Sequence, residues 1–107
     1  MFDRASLEAA ALLVYRHIPT TPQYMWPLLA DHTHCEVWVK HENHTPTGAF
    51  KVRGGIVYID SLLRTGDRPA GVISATRGIH GQSLAFAGRS TGLPVTVVVP
   101  YGNSAEK

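Results

Sequence analysis

The run from Leu93 to Val99, Leu-Pro-Val-Thr-Val-Val-Val, is the feature that most constrains how this chain can fold. It is rich in β-branched residues, which favour extended strands. Its apolar residues do not alternate with polar ones, so neither face of the strand is marked for contact with water. An uninterrupted apolar run of this length is typical of a strand buried on both faces of a parallel sheet.

Two further strands and two helices precede this run in regular alternation. Glu36–Lys40 and Ala70–Ala75 have the composition of strands. Ala49–Arg64 and His80–Ser90 have helical spacing, and a glycine follows each of them closely as a C-terminal stop. Strand, helix, strand, helix, strand is the order of a parallel sheet with right-handed crossovers. The pattern predicts an α/β fold built on a partial, open parallel sheet of βαβαβ order.

The N-terminal part of the chain predicts one clear helix and one weaker one. A helix is expected over about Ser6–His17, with Ser6 as its N-cap, and the proline-rich Ile18–Pro22 ends it. A short second helix is expected within Tyr24–His34, although Pro27 weakens that prediction.

Composition excludes several classes of function. At 107 residues, 44% of them apolar and 17% charged, the chain suits a single small globular domain. The net charge is +2 and the basic residues are scattered, so we expect no nucleic-acid partner. No apolar run approaches the ~20 residues of a membrane span. A lone cysteine, Cys35, and an N-terminus unlike a signal peptide predict a cytoplasmic protein.

Two loops after predicted strands are the candidate site, because ligands of open parallel sheets bind beyond the carboxyl ends of the strands. The first loop, residues 41–50, leads into Lys51. A lysine in the first turn of a helix is usually a solvated side chain. The positive end of the helix dipole, however, disfavours the charged amine and favours the neutral form that carries out Schiff-base chemistry.

The second loop, residues 74–81, has the composition of an anion site. Gly78 and Gly81 would let backbone amides turn inward at a helix N-terminus, and Thr76 adds a hydroxyl. An ordinary strand-to-helix turn, with glycines that serve conformation only, stays open as the alternative. The glycine spacing matches neither a dinucleotide fingerprint nor a P-loop.

Both loops carry a family resemblance. Residues 40–55, K-H-E-N-H-T-P-T-G-A-F-K-V-R-G-G, resemble the cofactor-lysine signature K-x-E-x-x-x-P-T-G-[SA]-F-K-x-R-G of serine/threonine dehydratases. Residues 76–82, T-R-G-I-H-G-Q, resemble the S-x-G-N-H-[AG]-Q loop of the same family. These dehydratases are pyridoxal-phosphate enzymes of fold type II, the tryptophan synthase β-like superfamily. The resemblance covers the whole chain as the N-terminal portion, residues 1–107, of one incomplete catalytic domain.

The resemblance implies a role for each matching residue. Lys51 would form a Schiff base with pyridoxal 5'-phosphate and later move the Cα proton, and Phe50 would pack beside the ring. The backbone and hydroxyl of the loop would bind the carboxylate of a small amino-acid substrate; its members are Thr76, Arg77, Gly78 and His80. The implied reaction is β-elimination of water from L-threonine or L-serine, which yields a 2-oxo acid and ammonia.

Several alternatives stay open within that resemblance. Val52 after Lys51 resembles dehydratases and serine racemases rather than the relatives that carry aspartate there, so elimination is preferred over replacement. A β-replacement or racemase relative, and a catalytically inactive fragment, are the alternatives. The preference between serine and threonine and association with a second copy of the chain are also open.

Two residues of the second loop depart from the family pattern. Ile79 stands at the cofactor-binding position where the family has an asparagine that donates to the ring hydroxyl. Loss of such a hydrogen bond is worth roughly 1.5–3 kcal/mol. Arg77 stands where serine racemases place a serine base, which disfavours racemisation and suggests contact with an anionic group.

No metal is expected. Four histidines and Cys35 are crowded into thirteen positions, residues 32–44, but their spacing fits no zinc pattern, and a predicted strand divides them into two groups.

Overall fold

The computed structural model describes residues 3–66 and 68–103. Helices and strands alternate through these residues, and a single 3₁₀ turn, Glu42–His44, lies before the third helix. In chain order the elements are α1 (Arg4–Tyr15), β1 (Gln23–Met25), α2 (Pro27–Thr33), β2 (Trp38–Lys40), α3 (Lys51–Arg64), β3 (Val72–Ala75), α4 (Ile79–Thr91) and β4 (Val95–Val98). Throughout the described residues, every helix is too short or too polar to cross a membrane.

The four strands form two separate two-stranded sheets within the described residues. β3 and β4 are parallel, with Val72 opposite Val95, as the sequence predicts. β2 was expected beside them, and that prediction is wrong, because β2 pairs antiparallel with β1 through Met25 and Trp38. The short connection through α2 returns the chain beside β1. The sequence did not predict β1, because most of it falls within Tyr24–His34, where a short helix was expected. The α/β class is confirmed; the three-stranded parallel sheet is not.

Helix ends explain two smaller corrections. Asp3, rather than Ser6, caps α1, since its carboxylate accepts a hydrogen bond from the backbone N–H of Ser6 at 2.7 Å. Pro27 begins α2 instead of weakening it, because the first helical position needs no N–H donor. Gly92 ends α4 as predicted, in a left-handed conformation with φ of 67°.

One hydrophobic cluster joins the helices to the parallel sheet. α3 contributes one face, whose members recur every three or four residues, and Val72 and Val95 pack against the cluster from the sheet. Its buried members are Val14, Ile18, Val52, Ile56, Ile59, Leu84, Ala87 and Leu93.

The second face of the β3–β4 sheet is open within the described residues. Ile73 is 72% exposed and Val98 is 49% exposed. The prediction that residues 93–99 are buried on both faces is therefore wrong for this part of the protein. The described elements pack against only one face of the sheet.

α3 and α4 approach each other closely where Gly55 meets Ser83. A Cβ built on Gly55 would overlap the Ser83 hydroxyl oxygen and lie 2.9 Å from the Ser83 carbonyl oxygen. The neighbouring Gly54 has open space at the same position. Gly55 is needed for helix packing, and Gly54 is not.

This difference predicts opposite effects of one substitution at adjacent positions. Gly54→Ala should raise the free energy of unfolding by up to about 1 kcal/mol, because alanine is the better helix former. Gly55→Ala should lower it by about 1–3 kcal/mol, because the added methyl forces two helix backbones apart. Urea titration followed by circular dichroism measures both values. A stabilised Gly55→Ala variant would contradict the packing described here.

Candidate active site

Lys51 lies at the first residue of α3, and its side chain is exposed at the edge of a cavity of about 400 Å³. The cavity occupies the groove between the starts of α3 and α4. Most of its wall is apolar, with Phe50 and Tyr58 as the aromatic members. The lining residues are Phe50, Lys51, Arg53, Gly54, Gly55, Tyr58, His80 and Leu84.

Hydrogen bonds to Thr45 hold the loop before Lys51 in place. The buried Thr45 hydroxyl oxygen accepts a hydrogen bond from the Ala49 N–H at 2.8 Å. It also lies within 3.0 Å of the carbonyl oxygens of Glu42 and Ala49, to either of which it can donate. These bonds close residues 42–49 into a compact turn, so the chain enters α3 in a defined direction.

A partly buried ion pair joins the same loop to α3. Arg53 donates to both carboxylate oxygens of Glu42, at 2.7 Å from Nε and 3.0 Å from Nη2. The Thr21 hydroxyl donates to the same carboxylate at 2.5 Å. The guanidinium of Arg53 also lies 5.8 Å from the centre of the Tyr15 ring, in the range of a cation–π contact. The loop, α1 and the first turn of α3 are thereby fixed together.

Arg53 also sets the charge state of Glu42. Hydrogen bonds from the guanidinium hold the pKa of the Glu42 carboxyl below its ordinary 4.5, against the opposing effect of partial burial. A carboxyl whose pKa is lowered on folding stabilises the fold above its unfolded pKa. That contribution is lost as the pH falls from 4.5 through the lower folded value.

The start of α4 forms the other wall of the cavity through His80. Among the described residues, the N–H groups of Ile79 and His80 make no hydrogen bond, as is usual in the first turn of a helix. α3 begins at the same cavity. Two positive helix ends therefore meet there, and such ends attract carboxylate or phosphate groups.

The structure brings some of the predicted site residues together and separates others. Phe50, Lys51 and His80 line one cavity. Gly78 lines a second cavity of about 300 Å³, on the side of α4 that faces Val97. Thr76, Arg77 and Ile79 line neither cavity.

Two members of the second loop have structural partners of their own. The Thr76 hydroxyl oxygen accepts a hydrogen bond from the Gly78 N–H at 3.2 Å. The Gly81 N–H donates to the Gly78 carbonyl oxygen at 2.9 Å, and a Cβ at Gly81 would lie 2.9 Å from Val97 Cγ1. Gly81 therefore serves helix-to-sheet packing. The expectation that its amide faces an anion is wrong, because that amide already has a partner.

Sequence reasoning missed Glu42, Arg53 and Ser83. Glu42 and Arg53 both belong to the signature that contains Lys51, but their spacing of eleven positions does not mark them as a pair. No pattern marked Ser83, because a serine inside an amphipathic helix carries no signal of its own.

His41 and His44 are neighbours, with ring centroids 6.1 Å apart in an edge-to-face arrangement. In residues 3–66 and 68–103, no three histidine, cysteine or acidic side chains come together as a metal site. His41 instead accepts a hydrogen bond from the indole N–H of Trp26 at 3.1 Å and packs against Tyr24.

A family model described as pyridoxal-phosphate dependent enzyme matches residues 14–107. The chain belongs to this family. It is 33% identical over 94 residues to an L-threonine dehydratase of Haemophilus influenzae, a match that covers 88% of this chain and 18% of the relative. A serine racemase of Bos taurus is 34% identical over 98 residues, covering 90% of this chain and 29% of the relative.

Solved structures agree with the sequence relatives. A pyridoxal 5'-phosphate-dependent aspartate racemase superposes with a TM-score of 0.86 at 31% identity, over 94% of this chain and 32% of that protein. The chain thus spans between about a fifth and a third of the proteins it matches. The predicted family, its fold type and its cofactor are confirmed.

The described residues fit this cofactor. A pyridine ring requires an apolar cavity, and Phe50, Tyr58 and Leu84 provide one. Its aldehyde requires a primary amine, which Lys51 carries at the edge of the cavity. Two positive helix ends complement the negative charge of the cofactor and of an amino-acid substrate.

The Glu42–Arg53 pair gives a pH-dependent prediction. Glu42→Gln should lower the free energy of unfolding at pH 7 by about 1.5–3 kcal/mol, the worth of a hydrogen-bonded charge. Its difference from the unmutated chain should shrink as the pH falls below 4.5, where the carboxyl of the unmutated chain becomes protonated.

Asp60→Asn is the matched control, because it removes the carboxylate of the exposed Arg64–Asp60 pair in the same helix. Such a pair is worth only about 0.3–0.5 kcal/mol. Urea unfolding at several pH values compares the two variants. Equal effects of the two would contradict a special role for Glu42.

Proposed function

We propose that this chain carries the cofactor lysine of a pyridoxal-phosphate enzyme that removes water and ammonia from L-threonine or L-serine. One observation carries the proposal: Lys51 and His80, whose backbone N–H makes no hydrogen bond in the described residues, line the same groove. An amine that can bond covalently and amides that can hold a carboxylate are the two requirements for an amino-acid substrate.

Each wall of the groove has a distinct role in this proposal. Phe50 and Leu84 would pack against the cofactor ring. The N–H of His80 would hold the substrate carboxylate in the groove, while Thr76, Arg77 and Gly78 lie in the loop before it, outside the lining of that groove. Pyridoxal phosphate, when bound, supplies an aldehyde for the amino group and a ring that withdraws electrons from Cα.

Lys51 then performs the proton chemistry. Its amine takes the proton from Cα, and the bond from Cβ to the hydroxyl oxygen breaks as that oxygen leaves with a proton, as water. The enamine that remains is released, gains a proton at Cβ and is hydrolysed by water to a 2-oxo acid and ammonia. The Glu42–Arg53 pair has no contact with the reacting atoms in this scheme and serves to hold α3.

Racemisation is the second candidate, since serine and aspartate racemases are among the similar proteins. It uses the same Lys51 amine but needs a second group that returns a proton to the opposite face of Cα. Arg77 stands where serine racemases place a serine base, and a guanidinium is a poor proton donor because it stays charged. Elimination is therefore the favoured reaction.

Lys51 gives the direct test of the proposal. Mixing the chain with pyridoxal phosphate should produce the visible absorbance of a covalent lysine adduct, and Lys51→Arg should abolish it, because a guanidinium does not condense with the aldehyde under these conditions. Lys40→Arg is the matched control and should retain the band. Absence of the band in the unmutated chain, or its persistence in Lys51→Arg, would refute the role of Lys51.

The reaction itself is tested by its products. Release of 2-oxo acid from L-threonine or L-serine supports elimination. Appearance of the D-amino acid without 2-oxo acid would instead show that the chain catalyses racemisation. An adduct band with neither product identifies the chain as a cofactor binder without catalysis.

Ile79 gives a second prediction. Ile79→Asn should tighten binding of pyridoxal phosphate by about tenfold or more, because an amide at this position can donate to the ring hydroxyl and isoleucine cannot. Ile79→Leu is the matched control and should leave affinity unchanged. Titration of the visible band measures both; equal affinities of the two variants would show that this side chain does not reach the ring.

A further inference from the structure

Ser83 is the only described side chain that donates a hydrogen bond to the backbone of the candidate cofactor lysine. Its hydroxyl lies 2.6 Å from the carbonyl oxygen of Lys51. Ser83 is 0% exposed, so this bond is shielded from water. A carbonyl oxygen has two lone pairs, so it can accept from Ser83 in addition to the amide four residues later in the helix.

The bond depends on the absence of a side chain at Gly55. Gly55 leaves room for the Ser83 hydroxyl between the helices, since a Cβ there would overlap that oxygen. Serine on α4 and glycine on α3 are therefore complementary in shape. Other hydroxyl groups of α4 do not reach α3: those of Ser90 and Thr91 donate to carbonyl oxygens of α4 itself.

Ser83 also lies on the face of α4 that borders the groove. His80, three residues before it, and Leu84, directly after it, both line the cavity of Lys51. Residues three apart share a face of a helix. One hydroxyl thus connects the backbone of Lys51 to α4 one turn after the unbonded amides of Ile79 and His80.

We propose that Ser83 is a positioning residue, which sets the distance between the Lys51 amine and the anion-binding start of α4. The proposal rests on the proposed function of Lys51 and adds to it the group that fixes its place. Reacting groups must be held to about 0.5 Å for efficient chemistry. Without the hydroxyl, α3 loses its polar attachment to α4 at the first turn, and a small void beside Gly55 lets the two helices shift.

The test compares two lysines of the same chain. The chain is incubated with pyridoxal phosphate and reduced with borohydride, and peptide mass mapping gives the ratio of label on Lys51 to label on Lys40. A preference for Lys51 is expected in the unmutated chain. Ser83→Ala should lower that ratio by about threefold to tenfold, because misplacement of a reacting group reduces its rate.

Ser90→Ala is the matched control. It removes a serine hydroxyl from the same helix, with a hydrogen bond of 2.8 Å to the Ala87 carbonyl oxygen, but it leaves α3 untouched. A role in stability alone would affect labelling of Lys51 and Lys40 together and leave their ratio unchanged. If Ser83→Ala gives the same ratio of Lys51 label to Lys40 label as the Ser90→Ala control, the positioning role of Ser83 is overturned. That result leaves the proposed function of Lys51 intact.

Two further outcomes complete the test. No preference for Lys51 in the unmutated chain overturns the cofactor role of Lys51 and, with it, the role of Ser83. If Ser83→Ala does not fold, Ser83→Cys is tested in its place, because a thiol donates a weaker hydrogen bond to the Lys51 carbonyl oxygen than a hydroxyl does. A ratio below that of the unmutated chain supports the proposal, and an unchanged ratio overturns it.

Discussion

The close contact of α3 with α4 is the constraint on which the remaining structure depends. Gly55 and Ser83 allow two helix backbones to approach, and the core residues Ile56, Ile59 and Leu84 become buried beside that contact. Both helices begin at the same groove, so the contact also determines what the groove contains. The packing of the helices and the composition of the groove therefore both depend on the fit of Ser83 against Gly55, which has no side chain.

The same contact explains why the two candidate loops meet. Sequence reasoning expected them to share a cleft because both followed strands of one parallel sheet. β2 belongs to a different sheet, so that reason was wrong, yet Lys51 and His80 still line one cavity. Lys51 and His80 lie close together because α3 packs against α4. Helix and strand periodicity cannot reveal such a contact, because it depends on which glycine faces which residue of another helix.

Local structure was predictable where a single residue or a short run of residues determines it. Gly92 ends α4, and the predicted α3, α4, β3 and β4 lie within a few residues of their observed bounds. The family and its cofactor were readable from two short motifs, which the family match confirms. What escaped prediction was pairing over distance: β1 with β2, Glu42 with Arg53, and Ser83 with Lys51. Each pair joins residues more than ten positions apart, and neither partner announces the other.

The open face of the β3–β4 sheet has a consequence for handling the isolated chain. Among the described residues no further strand pairs with β3 or β4, and Ile73 and Val98 present apolar side chains to water on the open face of that sheet. Unpaired strand edges accept strands from other molecules, and an apolar face beside them strengthens such pairing. We therefore expect a higher protein concentration to favour strand addition between molecules over the monomer.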